Sequence, residues 1–75
     1  MDRQLIADRL SGLRKEKGYT QAEVSNILSV GYDTVQGWEY KRSVPKASVL
    51  LQLSNLYGVS IDYILGNTNK KEINK

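Results

Sequence analysis

The sequence predicts an all-α fold, a compact bundle of five short helices, and three observations predict it. Apolar residues recur at helical spacing along most of the chain, the runs stop at glycine or proline, and no segment carries the signature of a β-hairpin. With 75 residues the chain makes one small domain. A chain this short hides only about 60 % of its unfolded surface, so each buried contact counts.

The first helix is predicted from about Arg3 to Lys17, on a stripe of Ile6, Leu10, Leu13 and Lys17 widened by Leu5. Gly18 stops it, as Gly58 and Gly66 stop later helices, in the left-handed position that follows a helix end. The second opens on Thr20-Gln21-Ala22-Glu23, a capping box in which the Thr20 hydroxyl accepts from the Glu23 amide and the Glu23 carboxylate reaches back. Val24, Ile27 and Leu28 give it an apolar face, and Ser29-Val30-Gly31 is a short connection. The third helix, roughly Tyr32 to Tyr40, has a thin apolar side of Val35 and Trp38, with Tyr32, Asp33, Gln36, Gly37 and Tyr40 opposite or along its edges. Gly37 costs a helix about 1 kcal/mol relative to Ala. It marks either a close approach to the backbone or a tolerated weak spot.

Val44 before Pro45 breaks the pattern. The fourth helix runs from Lys46 to Tyr57 with Val49, Leu50, Leu53, Leu56 and Tyr57 on one face, and a fifth covers Ser60 to Leu65. The folded domain is therefore assigned to residues 1–66. Residues 67–75 are polar, lysine-bearing and aperiodic apart from Ile73, and are expected as a flexible tail.

Composition removes several function classes. Without Cys or His the chain has no disulfide, no thiolate zinc site, no Cys or Ser–His nucleophile and no neutral-pH general base. No paired carboxylates stand at meaningful spacing, so neither an enzyme nor a cofactor or metal is expected. No apolar run approaches the roughly 18 residues of a membrane span, and Met1-Asp2-Arg3-Gln4 opens no signal peptide, which points to a cytoplasmic protein. Eleven Lys/Arg against eight Asp/Glu give a net charge of +3, which permits a polyanionic partner without demanding one.

The string Leu10-x-x-Leu13-Arg14-x-x-x-Gly18-x-Thr20-Gln21-Ala22-Glu23, followed by Thr34-Val35-x-x-Trp38-Glu39, resembles the helix-turn-helix domains of the lambda repressor and Cro type, the XRE family. Pro45, Leu50-x-x-Leu53 and Tyr57-Gly58-Val59-Ser60-Ile61-Asp62-Tyr63-Ile64-Leu65-Gly66 agree with it, so the likeness spans roughly residues 6 to 66. The resemblance implies a DNA-binding domain whose second helix crosses the backbone of double-stranded DNA while the third reads the major groove.

That resemblance assigns roles residue by residue. Thr20 and Gln21 meet phosphate at the start of the second helix, where free amides also favour anions. Tyr32, Asp33 and Gln36 face bases: Gln pairs with adenine, Asp accepts from cytosine, and Tyr32 reaches a phosphate or a thymine methyl. Asp33 also suits a plain helix start, worth about 0.3–1 kcal/mol through the macrodipole. Thr34 is either a phosphate contact or a neutral surface residue. Gly37 stands where relatives carry a long polar reader, Tyr40 and Lys41 replace their basic residue and glycine, and Ser29 replaces a glycine of the turn. Lys41, Arg42 and Lys46 cluster where a phosphate strand passes. Arg14 and Glu39 are expected as a structural ion pair, and Trp38 as core. Tyr57, Ile61, Tyr63 and Ile64 are candidates for a homodimer surface, or else Ile61, Ile64 and Leu65 only cap the monomer core.

The leading expectation is a dimeric transcriptional regulator, most simply a repressor of phage, mobile-element or antitoxin type on a palindromic operator. The alternative is a protein-interaction module of the same fold, an antitoxin or anti-repressor with a regulatory protein partner.

Overall fold

The computed structural model describes residues 2–72, and among them five helices and no strand. They are α1 (Arg3–Glu16), α2 (Gln21–Leu28), α3 (Tyr32–Glu39), α4 (Ala47–Tyr57) and α5 (Ile61–Leu65). Each begins where the sequence supplies a cap or a break. Asp2 accepts from the Leu5 amide at 3.1 Å, Thr20 and Glu23 close the capping box at 3.1 and 2.9 Å, and the Ser60 hydroxyl accepts from the Tyr63 amide at 3.0 Å. Lys17, placed on the apolar stripe by spacing, is instead the exposed cap that ends α1.

The core draws on every helix: Ile6, Leu10 and Leu13 from α1, Val24 and Leu28 from α2, Val35 and Trp38 from α3, Leu50, Leu53 and Tyr57 from α4, and Ile64 from α5. Fully burying a side chain of this size contributes about 1.5–3 kcal/mol. α1 packs on α3 and α5, α2 on α3 and α4, and α4 on α5, so α3 is clamped between α1 and α2. The expected apolar face of α2 is narrower than its spacing suggested, because Ile27 is 49 % exposed. Ile27 lies at the rim of an open groove shared with Gln52, Asn55 and Leu56 of α4.

The turn into α5 is tied by Ser54, whose hydroxyl donates to the Val59 carbonyl at 2.5 Å while its own carbonyl accepts from the Val59 amide. At Gly66 two constraints coincide: φ is 85°, and a Cβ there would lie 2.5 Å from Leu5 Cδ2.

Residues 67–72, expected as part of a loose tail, contact the bundle. The Arg9 guanidinium donates to the carbonyls of Tyr63 and Thr68 and to Asn69 Oδ1, the Ser60 amide donates to the Lys71 carbonyl at 2.8 Å, and Lys71 Nζ lies 3.3 Å from Glu16. Residues 67–72 therefore form a strap across α1 and α5. Ile73 lies outside the described residues.

Candidate nucleic-acid interface

The α2–α3 unit is joined by a turn that bends sharply at Ser29, which takes left-handed angles of φ 57° and ψ 42°. A serine there carries a backbone cost that glycine avoids. Hydrogen bonds from the Ser29 and Val30 amides to the Asn26 and Ser25 carbonyls hold the turn in that shape. Gly31 then caps α3 with extended angles and no side-chain hydrogen bond.

Val35 and Trp38 bury one side of α3, at 1 % and 4 % exposure, and fix its orientation. On the other side Tyr32 is 48 % and Tyr40 56 % exposed, Asp33 and Thr34 are exposed, and Gln36 is half-buried. Gly37 departs from the expected flank. It is buried, because the chain leaving α3 folds back over it: the Gly37 carbonyl accepts from the amides of Arg42 at 2.8 Å and Ser43 at 3.3 Å. A Cβ on Gly37 would stand 3.0 Å from Ser43 Oγ. The close approach read from the sequence is thus made by the protein's own loop, and Gly37 is not a surface open to a base.

That exit loop turns at Lys41, whose φ is 65°, and carries Lys41, Arg42 and Lys46 as exposed cations. Arg42 stands over the Tyr40 ring at 5.8 Å, within cation–π range. Arg3, which spacing alone does not connect to this loop, donates from Nη1 to the Arg42 carbonyl at 3.2 Å. The signal is invisible in the sequence because the two residues lie 39 positions apart.

A charged network braces the unit from behind. Arg14 grips Glu39 with two bonds, Nε to Oε2 at 2.8 Å and Nη2 to Oε1 at 3.0 Å, and donates to the Tyr19 carbonyl at 2.8 Å. Gln21 Nε2 donates to Glu39 Oε1 at 3.1 Å, so α1, α2 and α3 meet on one carboxylate. The hydrogen bond that Arg14 donates to Glu39 raises the Arg14 pKa above its usual value. Tyr57 of α4 feels the same pair: burial, helped by the nearby Glu39 charge, pushes its phenol up to about 12. Thr20 and Gln21 border a shallow notch of about 430 Å³ that also takes in Tyr32 and Tyr40, so the start of α2 and the flank of α3 share one surface.

The expected dimer residues divide. Tyr57 and Ile64 are core, at 4 % and 0 % exposure, because their positions on α4 and α5 face the junction of the helices and not the outside. Ile61 and Tyr63 are half-buried, with the Arg9 guanidinium 4.1 Å from the centre of the Tyr63 ring. Among the described residues no group of acidic side chains could hold a metal ion, and no helix is long and apolar enough to cross a membrane.

Residues 10–64 match the model of a helix-turn-helix family. The chain is similar to the HTH-type transcriptional regulator ImmR of Bacillus subtilis (strain 168), 40 % identical over 70 residues that make up 93 % of this chain and 53 % of the relative. It is also similar to two more proteins of that strain. One is the SPbeta prophage-derived uncharacterized HTH-type transcriptional regulator YonR, 31 % identical over 87 % of this chain and 60 % of the relative. The other is the uncharacterized HTH-type transcriptional regulator YobD, 32 % identical over 87 % and 58 %. The chain spans between half and two thirds of the length of these relatives.

Proposed function

The chain belongs to the helix-turn-helix family, and on that premise we propose that it is a sequence-specific transcriptional regulator that binds double-stranded DNA. The observation that carries this reading is the two-sidedness of α3: Val35 and Trp38 hold it down while Tyr32, Asp33 and Gln36 remain at the surface. A helix lying in the major groove needs that division, since base edges there present a donor and acceptor pattern that polar side chains read. Thr20 and Gln21, Thr34, Tyr40 and the cations Lys41, Arg42 and Lys46 are read as the phosphate-contacting rim.

In this reading the protein acts as a cytoplasmic repressor, by binding and without catalysis. One relative is prophage-derived, which supports a mobile-element setting. Two copies would pair so that their reading helices sit one DNA turn apart, about 34 Å. Ile61 is read as the contact, together with Leu51, which is 56 % exposed and lines the same groove between α4 and α5.

Selection of bound duplexes from a random pool, followed by mobility shift, tests the proposal. The expected result is a two-fold symmetric motif whose binding weakens as salt rises. No shift at any salt, with a protein co-purifying in its place, would overturn it in favour of a protein-interaction module.

A further inference from the structure

Arg3 is a cation in an unfavourable place by local rules. It opens α1, where the helix dipole is positive and a basic side chain is disfavoured. Its neighbour Asp2 is occupied as the cap of the same helix, accepting from the Leu5 amide. Among the described residues Arg3 makes no ion pair; the pairs there are Arg14–Glu39 and Lys71–Glu16. Its guanidinium instead reaches the α3–α4 loop and donates to the carbonyl of Arg42. Arg42 itself faces the Tyr40 ring and no carboxylate, and Lys41 is its neighbour.

Arg3 and the cationic loop of Lys41 and Arg42 therefore meet at one edge of the candidate interface, and among the described residues none of the three is in an ion pair. Bringing like charges together is unfavourable unless an anion neutralises them. Binding the Arg42 carbonyl uses one donor of Arg3, and a guanidinium has five, so the remaining donors stay available for a phosphate oxygen.

We propose that Arg3 is a phosphate-contacting residue, which extends the interface from the helix-turn-helix onto the first turn of α1. The inference rests on the DNA-binding reading above and adds one backbone contact, outside the unit that reads bases. Such a contact adds affinity without sequence information. Its signature is the loss of one released counterion per bound copy when the charge is removed.

Fluorescence anisotropy of a labelled duplex taken from the selected pool, and of a scrambled duplex, over a potassium chloride series tests this on the 75-residue chain. Arg3→Gln is expected to make the slope of log affinity against log salt shallower by about 0.9 for each bound copy, about 1.8 for a pair of copies on one site. At the lowest salt it should weaken both duplexes by a similar factor, roughly threefold to tenfold, while Arg3→Lys restores most of the slope. Lys15→Gln, exposed in the last turn of α1 at the opposite end of that helix from Arg3, is the control and should leave the slope as it is. A wild-type slope in Arg3→Gln, or a loss confined to the selected duplex, overturns the assignment and leaves the DNA-binding reading standing. If the unaltered chain binds neither duplex at any salt, both fail together.

Discussion

Glu39 accepts two hydrogen bonds from Arg14, at 2.8 and 3.0 Å, with side-chain exposures of only 6 % and 12 %. The last residue of α3 is thereby tied to α1, and through Gln21 to the start of α2. Taking either partner away leaves a poorly solvated charge, which costs about 3–5 kcal/mol in buried pairs. Glu39→Leu and Arg14→Met should each lower the urea midpoint strongly, while the double variant recovers much of the loss. Strictly additive midpoint shifts in that cycle would remove the coupling claimed here.

Alkaline stability follows from Tyr57. Its phenol ionises near pH 10 in the unfolded chain and at about 12 in the fold. Between those values the unfolded state has lost a proton that the native state keeps, so stability falls as pH rises. It is undiminished below pH 10. The total loss is roughly 2–3 kcal/mol at about 1.4 kcal/mol per unit. Thermal melts of Tyr57→Phe should show a flatter decline than the unaltered chain between pH 10 and 12, and coincident curves would rule this out.

Gly37 separates two opposing effects. Alanine there gains about 1 kcal/mol of helix propensity. Its Cβ meets Ser43 Oγ at 3.0 Å, closer than such contacts normally sit. Gly37→Ala should therefore stabilise more in a Ser43→Ala background than alone, by several tenths of a kcal/mol in denaturant midpoints. Equal gains in both backgrounds would show that the loop yields freely.

Among the described residues, two other than glycine have a positive φ, Ser29 and Lys41, and they should respond differently to glycine. Relieving the backbone cost in either place should add up to about 1 kcal/mol of stability. Ser29→Gly should leave DNA binding as it was. Lys41→Gly should weaken it and make the salt dependence shallower by about 0.9 per bound copy, if Lys41 meets phosphate as proposed. Anisotropy on the same duplex series measures both.

The helices were legible because their signals are local. The Thr20–Glu23 capping box, the Val44-Pro45 break and the glycines after α1, α4 and α5 each act within a few residues. What escaped depends on depth or on distance along the chain. Periodicity says which side of a helix is apolar but not how far a neighbour covers it, so Ile27 was expected inside, and Tyr57 and Ile64 were left open to a dimer contact. A helical wheel puts Gly37 on the flank of Asp33, and only the returning loop buries it. The network of Arg14, Glu39 and Gln21 was legible in its ion pair, from the family resemblance, but not in its third member. The contacts of Arg9 and Arg3 join residues too far apart for any local pattern to announce.

The strap has a consequence for how long the native state lasts. Arg9 bridges 54 residues to the Tyr63 carbonyl and 59 to that of Thr68, so these bonds close only after both chain ends are in place. Interactions absent from the folding transition state act on the escape rate alone. Hydrogen bonds from a charged donor are worth about 1.5–3 kcal/mol, so Arg9→Met should hasten unfolding about tenfold or more in stopped-flow traces while refolding keeps its pace. Residues 67–72 would then serve as a latch on the domain's lifetime, through contacts that involve none of the residues proposed to meet DNA.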